Sequence, residues 1–95
     1  MRRAARVDNT QPVIVRALRD CGWTVLDLSG VGHGCPDIIV GAAGVNVALE
    51  LKSPRGGLTP DQVEWHADWR GQVAVAHTPD EAIAIVSAAV GASPL

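Results

Sequence analysis

The chain has 95 residues, enough for one domain, and at 47% hydrophobic with mean hydropathy +0.17 it has the apolar content for a packed core. That core must be aliphatic, because the chain has no Phe or Tyr and only three Trp. No apolar run approaches the eighteen or so residues of a membrane span, and the basic start Met1-Arg2-Arg3-Ala4-Ala5-Arg6 is followed by no apolar stretch. These features speak against a secretory signal and lead to the expectation of a cytoplasmic protein. The formal net charge is −2, which argues against a broadly phosphate-binding surface. The positive residues are clustered, however: Arg2, Arg3, Arg6, Arg16 and Arg19 early on, then Lys52 and Arg55.

Residues 1–9 read as a flexible basic arm, and Arg2, Arg3 and Arg6 on it are candidates for a non-specific DNA tether. A helix is expected over 11–21. Pro12 suits its first turn, Ile14, Ala17, Leu18 and Cys21 share helical spacing, and Gly22 is placed to stop it. Arg16, Arg19 and Asp20 lie on its other face. Cys21 and Cys35 are too far from any CxxC pattern to form a metal site and are read as free thiols, Cys21 buried at the helix end.

A first strand is expected over 23–28, followed by a glycine-rich loop at 29–36. A short second strand, 37–40, turns at 41–44 into a third, 45–52. A second loop, 53–58, ends at Thr59-Pro60-Asp61-Gln62, which has the form of a helix start with a capping box. That helix should stop near Gly71. A fourth strand at 73–76 and a last helix to about residue 89, started by Thr78-Pro79-Asp80-Glu81, complete the order α-β-β-β-α-β-α. The last helix is apolar nearly all round, so it should pack on the sheet or on a partner. The expected fold is a single α/β domain over residues 10–90, a mixed four-stranded sheet flanked by helices, with a frayed tail at 91–95.

The third strand carries the chemistry. Side chains alternate faces along a strand. Val45, Val47, Leu49 and Leu51 therefore share the core face, and Asn46, Ala48, Glu50 and Lys52 share the other. Glu50 and Lys52 project side by side where the strand meets a loop, and the hairpin brings the segment near Asp37 towards them. Two carboxylates with water suit Mg²⁺ or Mn²⁺, and the Leu51 backbone carbonyl is a further candidate ligand. Such a metal polarises a phosphate oxygen and activates a bound water, and Lys52 is placed to orient that water or to stabilise transition-state charge. The plainer reading of a Glu-x-Lys is a solvated strand face with an ion pair worth little. Against it, seven of the eight basic residues are Arg and Lys52 is the one Lys, which suggests that a compact ammonium is wanted there.

Gly34-Cys35-Pro36-Asp37, Glu50-Leu51-Lys52 and Gly56-Gly57-Leu58-Thr59-Pro60-Asp61-Gln62 together resemble the VRR-NUC branch of the PD-(D/E)xK nucleases, over most of the chain. The resemblance implies a restriction-endonuclease-like fold, with Asp37 and Glu50 as metal ligands, Lys52 as the catalytic lysine and Gln62 as an active-site helper. It further implies metal-dependent cleavage of DNA phosphodiesters, often in branched DNA, and homodimers in stand-alone phage and bacterial forms. One departure is visible. Where many relatives carry a Glu early in the first helix, this chain reads Asp8-Asn9-Thr10-Gln11, leaving Asp8 or Gln11 as a substitute.

Other residues keep two readings. Gln62 is also the capping-box partner of Thr59. His33 is either a phosphate contact or acid, or an exposed loop residue. Arg55 is either a phosphate contact or a plain surface Arg. Trp65 and Trp69, one turn apart, either stack on exposed bases or serve core packing or a dimer seam. His66 and His77 read as structural. The alternative to an enzyme is a nucleic-acid-binding module on the same fold that does not cut. A structural protein without a site stands third.

Overall fold

The computed structural model describes residues 10–92. The expected basic arm with Arg2, Arg3 and Arg6, Asp8, and the end of the tail lie outside the described residues. Helix α1 (Thr10–Asp20) leads into strand β1 (Thr24–Asp27), β2 (Ile38–Ala42) and β3 (Val45–Leu51), then helix α2 (Pro60–Asp68), β4 (Val73–Ala76) and α3 (Pro79–Ala92). The four strands form one sheet in the order β1-β2-β3-β4. The first two junctions are antiparallel and β3–β4 is parallel, so the sheet is mixed as expected.

Register explains which side chains share a face. Ile38 pairs with Leu49, Val40 with Val47 and Ala42 with Val45, so two apolar rows lie side by side. Leu49 and Leu51 then pair with Ala74 and Ala76 across the parallel junction. Ile14 and Leu18 of α1 and Ala82 and Val86 of α3 close over this face, and all four are fully buried. Ile83, Ile85, Ala89 and Val90 pack at its margin. The apolar last helix therefore packs on the sheet and on α1. Fully burying one such aliphatic side chain contributes about 1.5–3 kcal/mol.

Several boundaries differ from the sequence reading. Strand β2 runs on through Gly41 and Ala42, and the hairpin turns in two residues, Ala43 and Gly44, both at positive φ. That is the backbone twist a tight hairpin requires. Asp37 lies just before β2 rather than opening it. Helix α2 ends at Asp68, where Trp69 turns extended, short of the stop expected at Gly71. Cys21 is exposed, not buried at the helix end. Helix α1 closes one residue earlier, and turn hydrogen bonds from Cys21 and Gly22 carry the chain away from the core. Neither Trp65 nor Trp69 belongs to the core. They stack on each other with ring centroids 4.6 Å apart, and Trp69 is 48% exposed.

Candidate active site

The opposite face of the sheet is built differently. Extending the β2–β3 register by one step sets Asp37 across from Glu50. Asp37 is fixed there from both sides. Its carbonyl accepts from the Leu28 N–H at 2.7 Å, and its Oδ2 accepts from the Leu51 N–H at 2.8 Å. Glu50 is only 2% exposed. Lys52 follows at the end of β3, its backbone N–H bonded to the Ala76 carbonyl and its Nζ 3.4 Å from Glu50 Oε2. Strand alternation and the hairpin thus bring Asp37, Glu50 and Lys52 together.

Helix α2 supplies the fourth member. Its capping box is fully formed. Thr59 Oγ1 accepts from the Gln62 N–H, and Gln62 Oε1 accepts from the Thr59 N–H at 2.9 Å. Because the amide oxygen is committed to the cap, the amide nitrogen must point the other way, and Gln62 Nε2 donates to Glu50 Oε2 at 3.0 Å. The capping reading of Gln62 holds, and the same side chain reaches the Glu50 carboxylate.

A glycine sets the position of α2. Gly34 has φ +82°, and a Cβ there would run into the backbone of Asp61 and Gln62. The glycine loop lies directly against the first turn of α2, which is how Gln62 reaches the sheet. Between Gly34 and Asp37 sit buried Pro36 and the half-buried Cys35. The Cys35 thiol is pushed above its ordinary range by burial, then by the charges of Glu50 and Asp37, so it stays a neutral neighbour of the carboxyl pair.

The electrostatics are unbalanced. Burial raises the Glu50 carboxyl, the nearby charge of Asp37 raises it further, and Lys52 opposes the rise. The result is about 7. Glu50 Oε2 is shared by Lys52 and Gln62, whereas Oε1 is buried and finds no hydrogen-bond partner among the described residues. A buried acceptor left without a donor costs about 1–3 kcal/mol, so such an atom asks for a ligand. A paired carboxyl group, a free buried oxygen and oxygen chemistry fit a hard divalent cation that keeps much of its water. No three His, Cys, Asp or Glu side chains converge as a metal cage among the described residues, and Asp8 lies outside them. Gln11 lines a separate groove with Arg16, Asp27 and Ile38.

The remaining candidates lie apart. His33, at φ 57°, lines a cleft of about 380 Å³ with Asp61, Glu64, Trp65, Asp68 and Trp69. Arg55 is exposed on the loop that leaves β3. His77 pairs with Glu81 at 2.8 Å and also donates its N–H to that carboxylate, a structural role as read from the sequence. His66, read as structural from the sequence, lies one helical turn beyond Gln62, and its Nε2 is buried without a hydrogen-bond partner among the described residues.

No protein-family model matches the chain, and no curated protein matches it. A solved structure described as a "VRR_NUC domain" does. The likeness has a TM-score of 0.65 and covers 82% of this chain and 90% of that one, at 22% sequence identity. The chain therefore has the fold of a VRR_NUC domain, the fold that its motifs resemble. Among the described residues, no helix is long and apolar enough to cross a membrane.

Proposed function

We propose that this chain is a Mg²⁺- or Mn²⁺-dependent endonuclease that hydrolyses DNA phosphodiester bonds. The observation that carries the reading is the free Oε1 of Glu50. It belongs to a buried carboxyl group set beside Asp37 and clamped on its other oxygen by Lys52 and Gln62. The likeness in fold to a VRR_NUC domain supports the same class.

Asp37 and Glu50 would hold the cation, with the backbone carbonyl of Leu51, the residue after Glu50, as a third candidate. When bound, the cation supplies Lewis-acid polarisation of the phosphate and a water of lowered pKa. Gln62 keeps Oε2 of Glu50 in place so that Oε1 faces the ligand. Glu50 gives up its proton near neutrality, so cation binding should tighten as pH rises through about 7. Lys52 orients the attacking water or balances charge on the phosphorane-like transition state. Arg55, exposed on the loop that leaves β3, is the favoured contact to the DNA backbone. His33 is the weaker one, because the three carboxylates in its cleft repel phosphate. Arg2, Arg3 and Arg6 would add a sequence-independent tether.

The acidic surface of α2 and the net charge favour recognition of DNA shape, as in a branched junction, over tight binding to any duplex. A homodimer would set two sites at a fixed distance. Leu26, 59% exposed on edge strand β1, offers apolar surface for one. The second reading is a module that grips DNA without cutting, and the small number of carboxylates at the site favours it. One assay separates the two. Supercoiled plasmid and a four-way junction are incubated with the protein in Mg²⁺, Mn²⁺ or EDTA, beside Glu50→Ala. Metal-dependent cutting that the variant loses is expected. Tight binding without cutting in either metal, by well-folded protein, overturns the nuclease and leaves the binding module.

A further inference from the structure

Two buried side-chain polar atoms stand without a hydrogen-bond partner among the described residues: Glu50 Oε1 and His66 Nε2. The first is accounted for above. The second lies on α2 four residues after Gln62, on the stripe of the helix that faces Glu50 and Lys52. We propose that His66 is a positioning residue for Lys52: its neutral imidazole offers Nε2 as the acceptor that holds the lysine ammonium when Glu50 turns to another ligand.

Lys52 needs such a partner. Its ammonium carries three donors, and the ion pair at Glu50 Oε2 is long for a charged hydrogen bond at 3.4 Å. That oxygen already receives the Gln62 amide. A cation bound at Glu50 would withdraw electron density from the whole carboxylate and weaken its hold on Lys52. An imidazole that stays neutral answers this need. Burial, and after it the charge of Lys52, lowers the His66 pKa, so near neutral pH the ring keeps one nitrogen as an acceptor. The ring is also braced. Trp65 meets it edge-on, with centroids 6.1 Å apart, and Gly34 packs against the first turn of the same helix, one turn before the ring. Burial of an unpaired nitrogen lowers stability, so a purely structural position would be served better by an apolar residue.

The proposal deepens the nuclease reading and rests on it for its catalytic meaning, but the contact itself can be tested without DNA or metal. Lys52 is the one lysine of the chain, so ¹⁵N-lysine labelling gives a single side-chain ammonium signal. In Glu50→Ala the competing carboxylate is gone, and Lys52 should keep slow proton exchange through His66. Adding His66→Leu should speed that exchange by roughly tenfold or more, the loss of one charge-assisted hydrogen bond. His66→Gln in its place should preserve slow exchange, since the Gln Oε1 reaches where Nε2 stood. Equal exchange in Glu50→Ala with and without His66→Leu overturns the proposal. In the cutting assay, His66→Leu should lower kcat by roughly 10- to 100-fold with KM little changed. His66→Gln should recover most of that loss. His66→Leu should melt at or above the wild-type temperature. A protein with the expected exchange pattern and no cutting retains the contact and loses the nuclease. Cutting by His66→Leu at the wild-type rate overturns the positioning role.

Discussion

The two faces of the one sheet are held by opposite physics. On the face under α1 and α3, Ile14, Leu18, Ile38, Val40, Leu49 and Val86 are closed away from solvent, and none of these side chains has a polar group to satisfy. On the face under α2, a glutamate is buried with a carboxyl neighbour, one of its oxygens is left free, and the covering helix has no buried residue. The first face stores stability. The second spends some of it to hold charges close together, and α2 is kept in place by a capping box, one amide-carboxylate bond and a glycine contact rather than by a core. Substitutions on the first face should therefore act on folding, and those on the second on chemistry.

The largest effect on stability is expected from Leu49→Ala, which opens a cavity at the centre of the apolar face. A loss of about 2–5 kcal/mol follows from the range for such truncations, measured by denaturant unfolding. In a domain this small that is a large share of the total. A loss under about 1 kcal/mol would mean that the apolar face is not the main source of stability.

Gly34→Ala comes next and acts on the other face. A Cβ at φ +82° is strained and meets the Asp61 and Gln62 backbone, so the first turn of α2 must shift. About 1–3 kcal/mol of stability should go, and cutting should fall by roughly two orders of magnitude, because Gln62 leaves Glu50. If cutting survives unchanged, the placement of α2 is not what organises the site.

Glu50→Gln should show the difference between the faces as a pH dependence. The folded carboxyl lies near 7 against an ordinary 4.5, so folding favours its protonated form. That contribution is complete below about pH 4.5 and is lost as pH rises through about 7. Metal-free wild type should therefore lose stability between these values, and Glu50→Gln should flatten the slope while abolishing metal-dependent cutting. Thermal melts across that range check it, and parallel slopes in the two proteins would contradict the burial of an uncompensated carboxyl.

The smallest effect is expected at the hairpin. Ala43 holds φ 50° without the freedom of glycine, and Ala43→Gly should raise stability by about 0.5–1 kcal/mol with no change in cutting. Destabilisation there would show that the turn is not strained as described.

Much of the fold could be read in the chain because it rests on local pattern. The alternation along 45–52 identifies the core face and sets Glu50 beside Lys52, and the Thr59–Gln62 pattern specifies the cap of α2. Asp37 required the hairpin register, which its two-residue turn supplied. What escaped the sequence depends on contacts between distant segments. The enclosure of Glu50 depends on Gln62 of α2 reaching its carboxylate, and the first turn of α2 is set by Gly34 touching Asp61. His66 comes near Lys52 by the same docking of α2, one helical turn after Gln62. Of the readings kept for Trp65 and Trp69, core packing is the one the structure removes. Here Trp65 and Trp69 cover each other at the surface.

The most direct test of the central claim is the rate at which excess protein nicks supercoiled DNA in Mn²⁺, for wild type and for Glu50→Gln confirmed as folded. Wild type should cut in Mn²⁺ and stop in EDTA, and the variant should be slower by roughly a thousandfold or more, as expected when a group that holds charge in the transition state is neutralised. Equal rates in the two proteins, or cutting that continues in EDTA, would contradict the account.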